Sequence, residues 1–183
     1  MLHAPAYRKK YEQNLKREFP RIPFYDDFFQ WRDWGAALMD LHINYETQKP
    51  FPLERNDLDL TAKRKIVQNS MFDRIGNDRL DKFEAKPQTK LRAVKTEGTI
   101  LIDSVTTLTG VPPEAWEYKL GNRSALEWIL DQYKEKTPQD ATIRERFNNY
   151  KFADYKEQVI DLLKRVTTVS VRTMEIIKQM PDV

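Results

Sequence analysis

Residues 112–136 read PPEAWEYKLGNRSALEWILDQYKEK, and the order of parts within them sets the architecture. A proline turn leads into a short aromatic-rich segment. Gly121-Asn122 breaks that segment, and a capped helix follows. Ser124 and Glu127 stand at N-cap and N3 spacing, a capping box that satisfies two orphan backbone donors. Leu126, Ile129, Leu130 and Tyr133 then fall on one helical stripe. Trp128 lies roughly opposite that stripe at about 100° per residue, so a second layer covers its ring or the ring faces a partner. Arg123 sits at the positive end of the helix. It gains nothing from the helix dipole there, but it suits an anion such as a phosphate. The plainer alternative is an ordinary capped core helix.

Working outward, the next decisive stretch is 89–109. Leu91 and Ala93 flank Arg92 in an alternating pattern that Val94 and Lys95 break. Thr99 to Asp103 is β-branched and apolar and predicts a strand. Glu97-Gly98 supplies the turn of a hairpin, and Val105 to Thr109 adds a third strand. A small antiparallel sheet is therefore expected among helices.

Towards the N-terminus, 5–19 reads as a helix, with Tyr7, Tyr11 and Leu15 every four residues and Arg8, Lys9, Lys10, Lys16 and Arg17 around them. Pro20 and Pro23 stop it. The basic cluster is a solvated face or a phosphate contact. A second helix is expected over 25–45. Phe24, Phe28, Trp31, Leu38, His42 and Tyr45 form its stripe, with Gly35 in register for a close backbone approach. Phe29, Trp34, Met39, Leu41 and Ile43 widen the stripe, which predicts cover on more than one side. His42 on this face reads as a hydrogen-bonded core histidine. Residues 53–90 are polar, with a short helix over 64–75, a turn at Asn77-Asp78 and weak alternation at 80–83.

Towards the C-terminus, 140–149 is a loop or short helix carrying Arg144 and Arg146. Asp154 and Glu157 repeat the capping-box spacing. Tyr155, Val159, Leu162, Leu163, Val166 and Val169 then build the apolar face of one long helix, despite β-branched residues at 167–173.

The totals exclude several functions. The chain has 183 residues, one domain's worth of core, and its net charge is only +3. It has no cysteine and two histidines, which removes disulfides and makes a zinc site improbable. No apolar run approaches a membrane span. No signal-peptide pattern opens the chain, so a cytoplasmic location is expected. The Asn/Asp-Pro-Pro-Tyr tetrapeptide of adenine methyltransferases is absent, because Val111 precedes Pro112-Pro113 and Glu114 follows. No Walker A loop is present. Glu84-Ala85-Lys86 after Asp73 has nuclease-like spacing, but in a chain that is 32% charged such triplets arise by chance. What remains is a binding surface. The 89–109 hairpin offers Lys90, Arg92 and Lys95, and the turn before the capped helix offers Lys119, Asn122 and Arg123. Asn122 is equally a local turn former.

AWEYKLGNRSALEWILDQYKEK at 115–136, RERFNNYKFADY at 144–155 and LLKRVTTVSVRTMEII at 162–177 together resemble the C-terminal specificity domain of Type ISP restriction–modification enzymes. The N-terminal LHAPAYRKKYEQNLKREFPRIPFYDDFFQW resembles the same family, through a YRxxYxxxLKxxxPRIP pattern. The resemblance is weakest between Phe51 and Lys90. It implies recognition of double-stranded DNA without catalysis. The chain would then be a single domain or a fragment of a target-recognition region, opening inside a family motif as a piece of a longer protein or a remnant reading frame. Residues 1–50 would join an upstream adenine-N6 methyltransferase, and 89–183 would hold the sheet and C-terminal helices. S-adenosylmethionine, ATP and Mg are expected only in the methyltransferase, helicase-like and nuclease parts of such an enzyme. The expected fold is α+β and mainly helical, with helices at both ends and a small antiparallel sheet near 89–109. The alternative function is a helical coupling domain within the same large enzyme, anchored by Trp31, Trp34, Trp116 and Trp128.

Overall fold

The structure, a computed structural model, describes residues 2, 4–21, 24–58, 87–136, 138–147 and 150–181. In chain order its elements are α1 (Pro5–Lys10), α2 (Glu12–Leu15), α3 (Phe28–Ile43), β1 (Glu54–Asp57), β2 (Thr89–Val94), β3 (Thr99–Asp103), β4 (Thr106–Thr109), α4 (Pro113–Glu117), β5 (Lys119–Leu120), β6 (Arg123–Ser124), α5 (Ala125–Gln132), α6 (Ala141–Phe147) and α7 (Phe152–Lys178). The fold is mixed α+β and mainly helical, with a small antiparallel sheet. The features expected over 64–75, at Asn77-Asp78 and at 80–83, and the Asp73, Glu84 and Lys86 grouping, lie outside the described residues. The chain forms two compact units, one of residues 1–51, 112–126 and 161–183, the other of 52–111 and 127–160.

The first unit is helical. Its N-terminal helix is shorter than its periodicity suggests, because Tyr11 leaves helical geometry at φ −107° and separates α1 from α2. Tyr7, Ala4, Leu38 and Met180 make a buried cluster, edged by Trp31 and Trp34. The Tyr7 hydroxyl donates to the Arg21 carbonyl at 2.7 Å, so the buried ring keeps its polar tip satisfied. Asp27 caps α3 by accepting from the Gln30 N–H at 2.9 Å. The expectation that α3 is covered on more than one side fails. Leu38 and Leu41 are buried, while Phe28, Phe29, Met39 and Ile43 are exposed. Among the described residues nothing lies within 4 Å of a Cβ built on Gly35, so none of their backbone approaches there.

Residues 161–178 of α7 complete this unit. Thr168 Oγ1 donates to the Lys49 carbonyl at 2.8 Å, and Arg165 Nη1 donates to the Gln48 carbonyl at 2.7 Å. Leu163 is fully buried and Leu162 half-buried. The β-branched run does not break the helix, which continues to Lys178, and two of its buried hydroxyls are satisfied by bonding back along it. Thr167 Oγ1 reaches the Leu163 carbonyl at 2.7 Å, and Ser170 Oγ reaches the Val166 carbonyl at 2.8 Å.

The second unit is built on a four-stranded antiparallel sheet in the order β1-β4-β3-β2. Ile100 and Ile102 of β3 and Leu108 of β4 are fully buried. β1 is unexpected: Glu54-Arg55-Asn56-Asp57 has no apolar alternation, yet it pairs along Thr106–Thr109. The β2–β3 turn closes at Gly98, whose φ is +58°. A Cβ there would stand 2.7 Å from the Val111 carbonyl oxygen, and the Val111 N–H donates to the Gly98 carbonyl at 2.9 Å. Left-handed geometry costs an L-residue about 1–2 kcal/mol. Gly98→Ala should therefore lower stability by at least about that much in urea titration; an unchanged midpoint would show that the turn relaxes freely.

The capping box expected at Asp154 does not form. α7 begins at Phe152, so Asp154 lies inside its first turn. The Phe152 N–H is instead taken by Glu135 Oε1 at 2.9 Å, and Glu157 pairs with Arg55 at 2.7 Å. Ser124 stands directly before α5 and is fully buried.

Candidate nucleic-acid interface

Lys119, Asn122 and Arg123 belong to the first unit, and the Gly-Asn break is a hairpin. β5 and β6 pair antiparallel, Lys119 with Ser124 and Leu120 with Arg123, leaving Gly121-Asn122 as a two-residue loop. Gly121 has φ +72°, and Asn122 is not among the residues at positive φ. Glycine in the first central position and an ordinary residue in the second is the sequence of a type II′ turn, whose twist matches the strands it joins. Gly121 thus supplies the turn, and Asn122 is not needed for it. Lys119, Asn122 and Arg123 are all exposed.

The base of this hairpin is Tyr118. Its N–H donates to the Glu114 carbonyl at 3.2 Å and its carbonyl accepts from the Ala125 N–H at 3.3 Å. Its hydroxyl lies 2.8 Å from His42 Nε2. Glu114 in turn pairs with Lys178 at 3.2 Å. Trp116, in α4 just before the hairpin, is buried and does not serve as an anchor for a neighbour.

Lys90, Arg92 and Lys95 belong to the second unit. A β-bulge interrupts the register between Thr89 and Arg92. Leu91 within it sits at φ +36°, a conformation strained for a leucine, and is fully buried. Burial of Leu91 drives the bulge, and Lys90 and Arg92 emerge exposed on either side of it. Lys95 Nζ is 2.8 Å from Glu127 Oε1, an ion pair within the second unit.

Lys90 also lines a cleft of about 840 Å³, together with Lys134, Lys151, Glu135 and Asp154. Glu135 accepts from the Phe152 N–H and Lys134 lies 3.6 Å from Asp131, so the cleft beside the edge strand β2 carries three lysines interleaved with the carboxylates Glu135 and Asp154. Lys134 and Lys151 lie inside the family-like stretches at 115–136 and 144–155, but nothing in those stretches marks them as contacts; their placement beside β2 does. The two candidate sets therefore lie on different units, one on the β5–β6 hairpin and one on the bulged edge of the sheet.

Among the described residues, no group of three or more His, Asp or Glu side chains converges as a metal site. The chain's 5 glycines are scattered along the sequence, with none grouped in a loop for ATP or a methyl donor.

A small α+β domain that presents a rigid polar hairpin on one unit and a basic sheet edge on another has the form of a recognition module. The Type ISP C-terminal specificity domain matches residues 1–162, and the chain belongs to that family. Among solved structures, it is similar to part of DrdV in a cryo-electron microscopy complex with DNA, with 50% identity, a TM-score of 0.81, 98% of this chain covered and 17% of that one. It is similar to a nuclease-deletion mutant of the Type ISP restriction–modification enzyme LlaGI in complex with a DNA substrate mimic, with 30% identity, a TM-score of 0.67, and 99% and 13% covered. It is also similar to the ATP-dependent Type ISP enzyme LlaBIII bound to DNA, with 27% identity, a TM-score of 0.67, and 98% and 10% covered. The chain thus spans about a sixth or less of these relatives' length. Comparison with curated proteins gives no match.

Proposed function

We propose that this chain recognises a DNA sequence as the specificity domain of a larger Type ISP restriction–modification polypeptide, and performs no catalysis itself. The observation that carries the reading is the exposed β5–β6 hairpin with Asn122 and Arg123 at its tip. An asparagine amide matches adenine in the major groove and a guanidinium matches the two guanine acceptors. A stiff hairpin holds both groups without the entropy loss of a long loop. Lys119, Lys90, Arg92 and Lys95, with Lys134 and Lys151 of the cleft, would fix register on phosphates. Such contacts weaken all sequences alike when removed. The DNA-bound state of all three structural neighbours supports duplex DNA as the partner. In this reading S-adenosylmethionine, ATP and Mg are held by the methyltransferase, helicase-like and nuclease parts of the polypeptide. No described helix is long and apolar enough to cross a membrane.

The test is exchange of the domain. Put in place of the matching region of DrdV, this chain should bring its own DNA target, so the sequence bound changes while the rest of the enzyme is constant. Retention of the recipient's target would sink the reading. A second reading, a coupling surface for the rest of the polypeptide, is favoured by the apolar face of α3, where Phe28, Phe29, Met39 and Ile43 are exposed. The two readings use different elements, and one chain can serve both.

A further inference from the structure

We propose that His42 and Tyr118 form a positioning clamp that fixes the β5–β6 hairpin in its reading orientation, an inference that rests on the proposed DNA-reading role of that hairpin. His42 stands near the end of α3, and Tyr118 directly precedes β5. His42 Nδ1 is 2.6 Å from the Leu38 carbonyl oxygen. A carbonyl only accepts, so Nδ1 carries the proton. In the neutral ring Nε2 is then an acceptor, and the Tyr118 hydroxyl donates to it at 2.8 Å. α3 thereby sets the imidazole tautomer, and the imidazole sets the phenol. Tyr118 is buried, which pushes its hydroxyl up from its ordinary titration range and keeps it a donor.

The backbone of the same residue is held at both ends, by the Glu114 carbonyl and by the Ala125 N–H. With N–H, carbonyl and hydroxyl all fixed, Tyr118 is an anchored post from which residues 119–124 project. A two-residue hairpin has no core of its own and is marginal in water. Its direction must therefore come from its base. The clamp acts on Asn122 and Arg123 through the backbone that joins them to Tyr118. His42 and Tyr118 are positioning residues and need not contact DNA.

Three variants of the 183-residue chain test this by amide hydrogen exchange. Tyr118→Phe removes only the hydroxyl. His42→Ala removes the acceptor. His42→Gln keeps an acceptor near the Nε2 position and should rescue. The first two should speed exchange at residues 119–125 by about 2- to 10-fold, the factor set by one neutral hydrogen bond. Exchange at 163–169 in α7 should stay unchanged, which a merely structural role would not predict. Equal acceleration at both places, or none at the hairpin, overturns the clamp. The same variants in the larger polypeptide should lose cognate-over-scrambled discrimination. Faster hairpin exchange with discrimination intact supports the clamp and overturns the DNA reading of the hairpin, so the two failures are distinct.

Discussion

Asp103→Ala should destabilise the chain by about 3–5 kcal/mol, the usual size when one partner of a buried ion pair is removed. The Asp103 side chain is 4% exposed and pairs with Lys156 Nζ at 2.7 Å. Its other oxygen, Oδ1, accepts from the Val105 N–H at 2.8 Å and the Thr106 N–H at 2.7 Å, closing the β3–β4 turn. Lys156 also donates to Thr106 Oγ1 at 2.7 Å, and Thr106 Oγ1 donates to Asp57 Oδ1 of β1 at 2.5 Å. Loss of Asp103 would leave two backbone donors without their acceptor and remove the anionic partner of the Lys156 ammonium. Asp103→Asn keeps an acceptor for the turn and removes only the charge, so it should cost less. Lys156→Met leaves Asp103 with the Val105 and Thr106 N–H groups, so it should also cost less than the alanine variant. The Asn/Met double variant should be less destabilised than the sum of its singles, because the two share one network. Urea titration measures all four; a change within about 0.5 kcal/mol for Asp103→Ala would place the pair outside the cooperative core.

The same group gives the chain a pH signature. Burial pushes the Asp103 carboxyl up, but the Lys156 ammonium and the two turn N–H groups outweigh it and hold it below the ordinary aspartate value. A depressed folded-state pKa means that the unfolded chain binds the proton first as pH falls. Asp103 therefore contributes its full stability above the ordinary range near pH ~4, and loses it as pH drops through the folded value. The acid limb of the stability curve should flatten in Asp103→Asn.

Local signals identified the strands and helices whose partners are near in sequence. The β-branched run at Thr99–Asp103, with Gly98 before it, predicts β3 and its turn, because one short stretch holds both pattern and breaker. β1 was illegible for the opposite reason. Glu54 to Asp57 is all charged or amide, and it is held by ladder bonds to β4 and by Arg55–Glu157 and Thr106–Asp57 contacts far along the chain. The false capping box at Asp154 has the same cause, since the start of α7 is set by Glu135, which motif spacing does not report. On α3 the apolar periodicity reports a face but not what covers it, so cover was expected on Phe28 and Met39 where none exists among the described residues.

The candidate site was legible in its chemistry and not in its shape. Lys119, Asn122 and Arg123 stand out as polar groups at a Gly-Asn break, but the two-residue pairing depends on Tyr118, fixed from α3 by His42. Lys90 and Arg92 are visible on a strand, whereas the bulge that exposes both is caused by burial of Leu91. Lys134 and Lys151 have no individual sequence signature; both lie just outside helices, Lys134 after α5 and Lys151 directly before α7.

The Asn122→Ala/Arg123→Ala double variant should lose about 2–6 kcal/mol of discrimination between cognate and scrambled duplexes, from about 1–3 kcal/mol for each bidentate base contact. That corresponds to roughly 30-fold to 20,000-fold in relative affinity. Both groups sit on a hairpin fixed at its base by Tyr118, so their truncation should leave the fold in place. The measurement is affinity of the larger polypeptide for both duplexes at one salt concentration, repeated at a second. Base reading predicts loss on the cognate duplex with the salt dependence almost unchanged. Phosphate contact by Arg123 predicts equal loss on both duplexes and a salt slope lower by about one. Arg123 lies at the start of α5, where an anion is favoured, so the phosphate outcome is physically accessible and would move base reading away from Arg123. Unchanged binding to both duplexes would remove the hairpin from the interface and shift the weight to the exposed face of α3.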